Sequence, residues 1–282
     1  MEVKQKAFPD KFILLNDFTT CYNDLGTGSV PVIFIHGFPF DKSSWHPQME
    51  FLSDKFRVIS YDIRGFGKST AETQIESIHQ FADDLINFMD ALNINKAIVC
   101  GLSMGGYILL NAISLYPERF YAIVLSDTQC IADSESVKQK RIETISQILA
   151  GGFQSFAEEF VKKIFCTETL DTKPELVEKI LNTILSTSSI TVTKTLNALA
   201  NRNDMCNSLH QISIPAMIIC GSDDVITPPK QSEFLHNSIR GSRTHLINNA
   251  GHLTNLEQPG EFNNYLINFI SDVLNQMEKS SI

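Results

Sequence analysis

The apolar residues of this chain gather into short, nearly unbroken runs, separated by longer segments in which they recur at helical spacing. Five of the runs are rich in β-branched residues: Pro31–Ile35, Phe56–Asp62, Lys96–Cys100, Tyr121–Asp127 and Pro215–Cys220. Runs of this kind predict strands that are buried on both faces of a parallel sheet. Residues 11–16 and 19–26 alternate more, which predicts an antiparallel hairpin at the edge of the sheet.

Helical patterns lie between these strands. Ser77 and Gln80 have the spacing of a capping box, and apolar residues then recur every three or four positions as far as Leu92. The stretch from Glu261 onward repeats this pattern at the C-terminal end. Strands that alternate with helices predict an α/β fold in which a mostly parallel sheet carries helices on both faces.

The alternation stops between residues 131 and 208, where helical patterns occur without a comparable strand. We therefore expect a helical cap, or lid, that is inserted into one core formed by residues 1–130 and 209–282. Four phenylalanines of this segment leave two interpretations open, a pocket wall or ordinary packing against the core, and packing is the commoner use. They are Phe153, Phe156, Phe160 and Phe165.

Composition and charge argue against some kinds of binding partner for this protein. With 43% hydrophobic and 20% charged residues, the chain can bury a sizeable core. A net charge of −9 argues against a nucleic-acid-binding surface, which needs clustered Lys and Arg. No apolar run approaches the roughly 20 residues of a membrane helix, and the N-terminus lacks the apolar centre of a signal peptide. We expect a cytoplasmic protein that binds neither nucleic acid nor a membrane.

The six cysteines are scattered along the chain and form no C-x-x-C pair. This spacing favours reduced, partly buried thiols over a disulfide framework.

The segment 97–110, "AIVCGLSMGGYILL", begins as a strand and continues as a helix, with Ser103 at the junction. Gly101 to Gly105 match G-x-S-x-G, a pattern that is weak alone and strong between a strand and a helix. The glycines leave room for a tight, strained turn. That turn projects the serine hydroxyl at the carboxyl edge of the sheet, beside a helix N-terminus that favours negative charge.

A serine hydroxyl is a poor nucleophile and needs a base, together with an acid that orients the base. His252 follows a strand-like segment, 244–248, and of the seven histidines it alone has this position. Asp223 and Asp224 follow the strand 215–220. Asp224 is preferred because it fits G-x-x-D counted from the glycine after that strand, while Asp223 and Asp127 stay as alternatives.

The chain resembles the α/β-hydrolase fold family over nearly its whole length, most closely the serine carboxylesterase and enol-lactonase branch. Five segments carry the resemblance in the family's order: "FIHGFPFDKSSW", "YDIRGFGKS", "GLSMGG", "GSDDVITP" and "AGHLTNLEQP". The resemblance implies that Ser103, Asp224 and His252 form a catalytic triad. It also implies that the backbone N–H groups of Phe38 and Met104 form an oxyanion hole.

The expected reaction is hydrolysis of carboxylic esters of small to medium acyl chain through an acyl-enzyme. Lactone hydrolysis, C–C bond hydrolysis and cofactor-free perhydrolysis use the same groups, and a ligand receptor on this fold is the alternative of another class. No cofactor or metal is predicted. "RGFGKST" ends like a phosphate-binding loop, but Asp62 stands where the pattern G-x-x-x-x-G-K-[ST] needs its first glycine. "GLSMGG" has Ser103 where a dinucleotide fingerprint needs glycine.

Overall fold

The computed structural model describes residues 6–70 and 75–280. In chain order its strands are β1 Lys11–Leu14, β2 Thr19–Leu25, β3 Val32–Ile35, β4 Val58–Tyr61, β5 Ala97–Leu102, β6 Phe120–Ser126, β7 Ala216–Gly221 and β8 Arg243–Ile247. They form one sheet in the order β1-β2-β4-β3-β5-β6-β7-β8. β2 is antiparallel to both of its neighbours, and all other pairs are parallel. The predicted parallel sheet and its N-terminal hairpin are confirmed.

The α-helices are α1 His46–Leu52, α2 Ile78–Ala91, α3 Met104–Leu115, α4 Glu135–Gln147, α5 Phe153–Ile164, α6 Thr167–Thr172, α7 Pro174–Ser186, α8 Ser189–Ala200, α9 Pro229–Ser238, α10 Thr254–Glu257 and α11 Pro259–Ser280. Across the described residues, none of these helices has both the length and the hydropathy that crossing a bilayer requires. The Ser77 hydroxyl caps α2 by accepting the Gln80 N–H at 3.1 Å. The Gln80 side chain reaches one residue further back than a capping box requires, to the Glu76 N–H at 2.9 Å.

Both faces of the sheet are covered. Ile33 and Ile35 of β3 lie in one apolar cluster with residues of α2 and α3, while Val32 and Phe34 lie in a second cluster with α1 and α11. All four side chains are fully buried. This two-sided burial explains why the central strands are continuous apolar runs rather than alternating ones. It also fixes the carboxyl ends of β3 to β8 along one edge of the sheet.

The chain between β6 and β7 is helical, and in residues 127–215, all of which the structure describes, no strand occurs. Five helices, α4 to α8, fill it. One of the helical patterns in this part of the sequence covers residues 141–165, and in the structure it falls in two helices rather than one. A π-helical turn, Ile148–Gly152, separates them, and Gly151 there adopts φ 96°, which a residue with a Cβ rarely does. Helices α6 and α8 were not predicted from the sequence.

The prediction that all the cysteines are reduced is wrong for one pair. Cys130 and Cys206 are joined by a disulfide across 76 positions of sequence. They lie where the helical segment leaves the core after β6 and where it returns before β7. The Met205 N–H donates to the Cys130 carbonyl at the same junction, at 2.9 Å. The positions of these two cysteines in the sequence do not indicate that they meet in the fold. The remaining four cysteines are free and buried.

Candidate active site

Ser103 occupies the turn between β5 and α3 with φ 52° and ψ −111°, a strained conformation for a residue with a side chain. The glycines around it are needed for close approach. A Cβ on Gly101 would lie 2.4 Å from the Gly105 carbonyl oxygen, and one on Gly105 would lie 2.3 Å from the Ile35 carbonyl oxygen. The turn therefore packs tightly against β3 and holds the Ser103 hydroxyl at the sheet edge.

Three side chains from three loops meet at this edge. Ser103 Oγ lies 2.7 Å from His252 Nε2, and His252 Nδ1 lies 2.8 Å from Asp224 Oδ2. Ser103, His252 and Asp224 retain 7%, 1% and 3% of their exposure, so bulk water barely reaches the chain of hydrogen bonds. The hydroxyl has a base within hydrogen-bond reach, and the base has an orienting carboxylate.

The electrostatics of the buried pair favour an ionised Asp224. Burial alone raises the pKa of a carboxyl group, but the His252 ring and hydrogen bonds from Thr227 outweigh burial and lower the pKa of Asp224. The Asp224 carboxylate accepts the N–H groups of Ile226 and Thr227 at 2.8 and 3.0 Å. For His252 the two effects are reversed: burial lowers the pKa of the ring, but the Asp224 carboxylate raises it by more, so the net pKa is raised. His252 therefore has a higher proton affinity than a free imidazole.

The two alternative acids lie elsewhere. Asp223 is exposed, and its carboxylate accepts the Ser222 hydroxyl at 2.9 Å. Asp127 is fully buried but directs its oxygens at other donors, the Gly221 N–H and the Thr254 hydroxyl among them. Burial and the nearby Asp224 charge raise the pKa of Asp127 to about 7. Of the three candidates, Asp224 is the one bonded to the His252 ring.

The loop after β3 places backbone donors beside the serine. A Cβ on Gly37 would lie 3.2 Å from Ser103 Cβ, so the loop is in contact with the turn. Within the described residues, neither the Phe38 N–H nor the Met104 N–H donates to a protein acceptor. His36 fixes this loop because its Nδ1–H donates to the Gly37 carbonyl at 2.8 Å, while its Nε2 accepts the Ile63 N–H at 3.0 Å. Burial lowers the pKa of His36, which keeps the neutral ring that these two bonds require.

Several supporting residues were missed by the sequence interpretation. The Glu257 carboxylate accepts the Gly251 N–H at 2.7 Å and the Cys166 N–H at 2.9 Å. It thus joins the loop of His252 to the segment that follows α5. The His252 N–H also donates to the Ile164 carbonyl at 2.7 Å. The only signal for Glu257 in the sequence is an acidic residue in the motif "AGHLTNLEQP", five positions after the histidine.

A cavity of about 1040 Å³ opens above Ser103 and His252. Its lining includes apolar side chains, among them Phe38, Tyr107 and Leu199. Helices α4 and α5 contribute exposed charged side chains, with Lys140, Glu159 and Lys163 among them. Most of the wall therefore comes from the helical segment between β6 and β7.

The four phenylalanines of that segment divide into two pairs. Phe156 and Phe160 line the cavity, with ring centroids 5.6 Å apart. Phe160 also contacts the Phe38 ring edge-on, at 6.3 Å. Phe153 and Phe165 pack against the core clusters and do not line the cavity. Two of the four phenylalanines therefore form part of the pocket wall, and the other two only pack against the core.

One buried cluster has metal-ligating atoms. Ligand atoms of Asp127, Cys220 and Asp224 lie within 4.8 Å of one another. Their chemistry does not fit a metal, because both carboxylates already accept hydrogen bonds from protein donors. Burial also raises the pKa of the Cys220 thiol, which opposes the thiolate that a metal would need.

Comparisons with known proteins identify the family. A family model of the alpha/beta hydrolase fold matches residues 30–259. The chain belongs to this family. It is accordingly a hydrolase, as the sequence resemblance led us to expect.

Named relatives span most of this α/β-hydrolase. It is 30% identical over 248 residues to 3-oxoadipate enol-lactonase 2 of Acinetobacter baylyi, covering 88% of this chain and 91% of the relative. A solved thermophilic esterase from Thermogutta terrifontis superposes with a TM-score of 0.89 and 32% identity, covering 94% of this chain and 99% of the esterase. The enol-lactonase from Burkholderia xenovorans LB400 superposes with a TM-score of 0.86 and 25% identity, covering 93% of this chain and all of that one.

Proposed function

We propose that this protein is a serine hydrolase that cleaves carboxylic esters of small to medium acyl chain. The observation that carries the proposal is the unbroken chain of hydrogen bonds from Asp224 through His252 to Ser103 at the floor of a cavity with apolar and polar walls. The similarity to an esterase over 94% of the chain supports the same reaction class.

In the proposed acylation, Ser103 Oγ attacks the ester carbonyl while His252 Nε2 takes the hydroxyl proton. The carbonyl oxygen becomes an oxyanion, for which the Phe38 and Met104 N–H groups are the candidate donors. Preorganised donors of this kind are worth several kcal/mol each in the transition state, roughly 3–4 in measured cases. The C–O bond to the alcohol then breaks, and His252 gives its proton to the leaving oxygen.

In the proposed deacylation, water enters where the alcohol left. His252 takes a proton from the water as the water oxygen attacks the acyl carbonyl. The bond to Ser103 Oγ then breaks, and the serine recovers its proton from His252. Asp224, held ionised, stabilises the imidazolium ion in both halves of the cycle.

Lactone hydrolysis is the second candidate, supported by enol-lactonases among the relatives. The same steps apply, except that the leaving oxygen stays tethered to the acyl group. The cavity, at about 1040 Å³, accommodates either a chain or a ring. In either case we propose that residues 131–208 act as the cap that supplies substrate specificity, since they form most of the wall.

A substrate panel tests the proposed function. We expect repeated turnover of p-nitrophenyl acetate, butyrate and hexanoate, because each places a small acyl group at Ser103 with an activated leaving group. Initial rates and total product per enzyme are measured, together with simple lactones and an enol-lactone on the same preparation. A single burst equal to the enzyme concentration would instead favour a ligand receptor. A kcat/KM for lactones far above that for all esters would replace the first candidate by the second.

Phe156→Ala is expected to alter chain-length preference. Its ring lines the cavity, so its loss should change kcat/KM for butyrate and hexanoate esters about tenfold relative to acetate, given ~1–3 kcal/mol per accommodated methylene. Phe165→Ala is the matched control, because that side chain is buried in the core. It should lower the melting temperature and leave the ratios unchanged, since a buried Phe→Ala change costs about 3–5 kcal/mol. Identical profiles for both variants would place the specificity wall elsewhere.

A further inference from the structure

The end of β6 and the two residues that follow it, 126–128, are bonded to all three segments that carry the proposed triad. The Ser103 N–H donates to the Ser126 carbonyl at 2.9 Å, and the Thr128 hydroxyl donates to the Ser103 carbonyl at 2.8 Å. These two bonds hold the strained turn from both sides. Between Ser126 and Thr128 stands Asp127, the buried carboxylate for which the reaction steps give no role.

Asp127 bridges the two other loops. Its Oδ1 accepts the N–H of Gly221, three residues before Asp224, at 3.0 Å. The same oxygen accepts the hydroxyl of Thr254, two residues after His252, at 2.6 Å. Its Oδ2 accepts the Ser126 hydroxyl at 2.7 Å. One carboxylate therefore ties the acid-bearing loop to the base-bearing loop, behind the Asp224–His252 bond.

We propose that Asp127 is a positioning residue of this hydrolase: it fixes the loops of Asp224 and His252 relative to each other, and its charge supports protonation of His252. The proposal rests on the proposed function for its kinetic consequences, while its effect on the His252 ring is independent of activity. Asp127 is not the acid that orients the base, because Asp224 occupies the hydrogen-bonding position at His252 Nδ1.

Of the titratable groups around Asp127 in the described part of the chain, His252 is the one whose charge attracts it. Asp224 follows β7 and repels it, and His252, when protonated, attracts it. The carboxylates of Asp127 and of Glu257 on α10 both raise the pKa of His252. The thiols of Cys100 on β5 and Cys220 on β7 lie on the flanking strands, where burial raises the pKa of each and keeps it neutral.

Two buried carboxylates next to one imidazole make a coupled site. Because the pKa of Asp127 is raised to about 7, its carboxylate is partly ionised near neutral pH. In that form, it stabilises a proton that arrives at His252 from Ser103, together with Asp224, although Asp127 touches no reacting atom. Removal of the Asp127 charge should therefore lower the proton affinity of His252. The acid limb of kcat/KM, which reports the loss of activity as His252 takes a proton, should then move to lower pH.

Asp127→Asn tests this with an almost unchanged side-chain shape. NMR titration of the His252 ring in the Ser103→Ala background should show its pKa lowered by about one pH unit relative to Ser103→Ala alone. In the chain that keeps Ser103, the acid limb for p-nitrophenyl acetate should shift in the same direction. We expect kcat to fall roughly 10- to 100-fold, because a small displacement of His252 from Ser103 slows the reaction. KM should change little, since Asp127 does not line the cavity.

Asp84→Asn is the matched control for loss of a buried carboxylate. Asp84 on α2 pairs with Arg64, away from the bonds that connect the three loops, and Arg64 keeps Asp17 as a partner. This variant should leave the acid limb in place. Thr254→Val and Thr254→Ser test the positioning role: valine should lower kcat, because the bond to Asp127 is lost, and serine, which keeps the hydroxyl, should restore it. The Thr254 pair also decides the positioning role if Asp127→Asn does not fold.

A His252 titration in Asp127→Asn that coincides with that of the parent chain would overturn the charge role. Equal kcat in Thr254→Val and Thr254→Ser would overturn the positioning role. A loss of kcat in Asp127→Asn as large as that in Asp224→Asn would make Asp127 the orienting acid instead. If the unmodified chain turned over no ester or lactone while the NMR shift appeared, the proposed function would fail and the effect of Asp127 on His252 would stand.

Discussion

Ser103→Ala is expected to reduce kcat for p-nitrophenyl acetate by at least about 10⁵-fold while leaving the fold intact. In the proposed mechanism no other group can form the acyl-enzyme, and removal of a serine nucleophile costs about 10⁶ in measured cases. Alanine keeps the Cβ, so the strained turn at φ 52° is unchanged. The substitution removes the 2.7 Å hydrogen bond between Ser103 Oγ and His252 Nε2. Kinetics, circular dichroism and melting temperature are measured on the same preparation.

Ser155→Ala is the matched control, since Ser155 lines the same cavity. Ser155 is exposed, so its loss should change stability little, and because it has no place in the reaction steps we expect activity within about twofold. Labelling with a sulfonyl fluoride, followed by peptide mass analysis, should place the modification on Ser103 and be absent in Ser103→Ala. A folded Ser103→Ala variant that keeps more than about one hundredth of the activity would remove this serine from the mechanism, because the loss from a true nucleophile is far larger.

Much of the site was predictable because its elements are local. A buried strand, closely spaced glycines and an apolar helix specify the turn of Ser103 within one segment of 14 residues, 97–110. Parallel strands end at one edge, so the loops after β7 and β8 had to lie near this turn. Chain order alone therefore singled out His252 among the histidines.

The choice among Asp127, Asp223 and Asp224 was not settled by reasoning from the residues alone. All three follow strands that end at the same edge, so topology brings each of them near the serine. Which one reaches the His252 ring depends on the direction of its side chain. That direction is set by bonds such as those from the Ile226 and Thr227 N–H groups to Asp224. Propensity and periodicity carry no information about such bonds.

The helical segment was less predictable for a different reason. Helix α8 buries Thr191, Thr193 and Thr195 together with Val192, a β-branched stretch that favours a strand by propensity. Tertiary packing overrides that preference. Helix α4 buries none of its residues, so it has no apolar stripe from which to judge its orientation. The Cys130–Cys206 disulfide escaped prediction because it depends on where this segment leaves and rejoins the core.

Asp224→Asn is expected to lower kcat by about 10⁴-fold at neutral pH, the size of loss seen when the acid of such a triad is replaced by its amide. An amide in this place can donate to His252 Nδ1, which favours the tautomer whose proton lies on Nε2. That tautomer cannot accept the proton of Ser103. The change also removes the charge that raises the pKa of His252 and stabilises the imidazolium. KM should change little, because the carboxylate lies behind the ring, away from the cavity.

Asp223→Asn is the matched comparison one residue away. Asp223 is exposed and bonded to Ser222, so this variant should stay within about twofold of the unmodified chain. Asp127→Asn should fall between the two, since it loosens the loops without reversing the His252 tautomer. The order Asp224→Asn, Asp127→Asn, Asp223→Asn in loss of kcat is thus the expected result. If Asp223→Asn were the most damaging, the loop after β7 would have to turn its other carboxylate towards His252 in the working enzyme, and the assignment of Asp224 would be wrong.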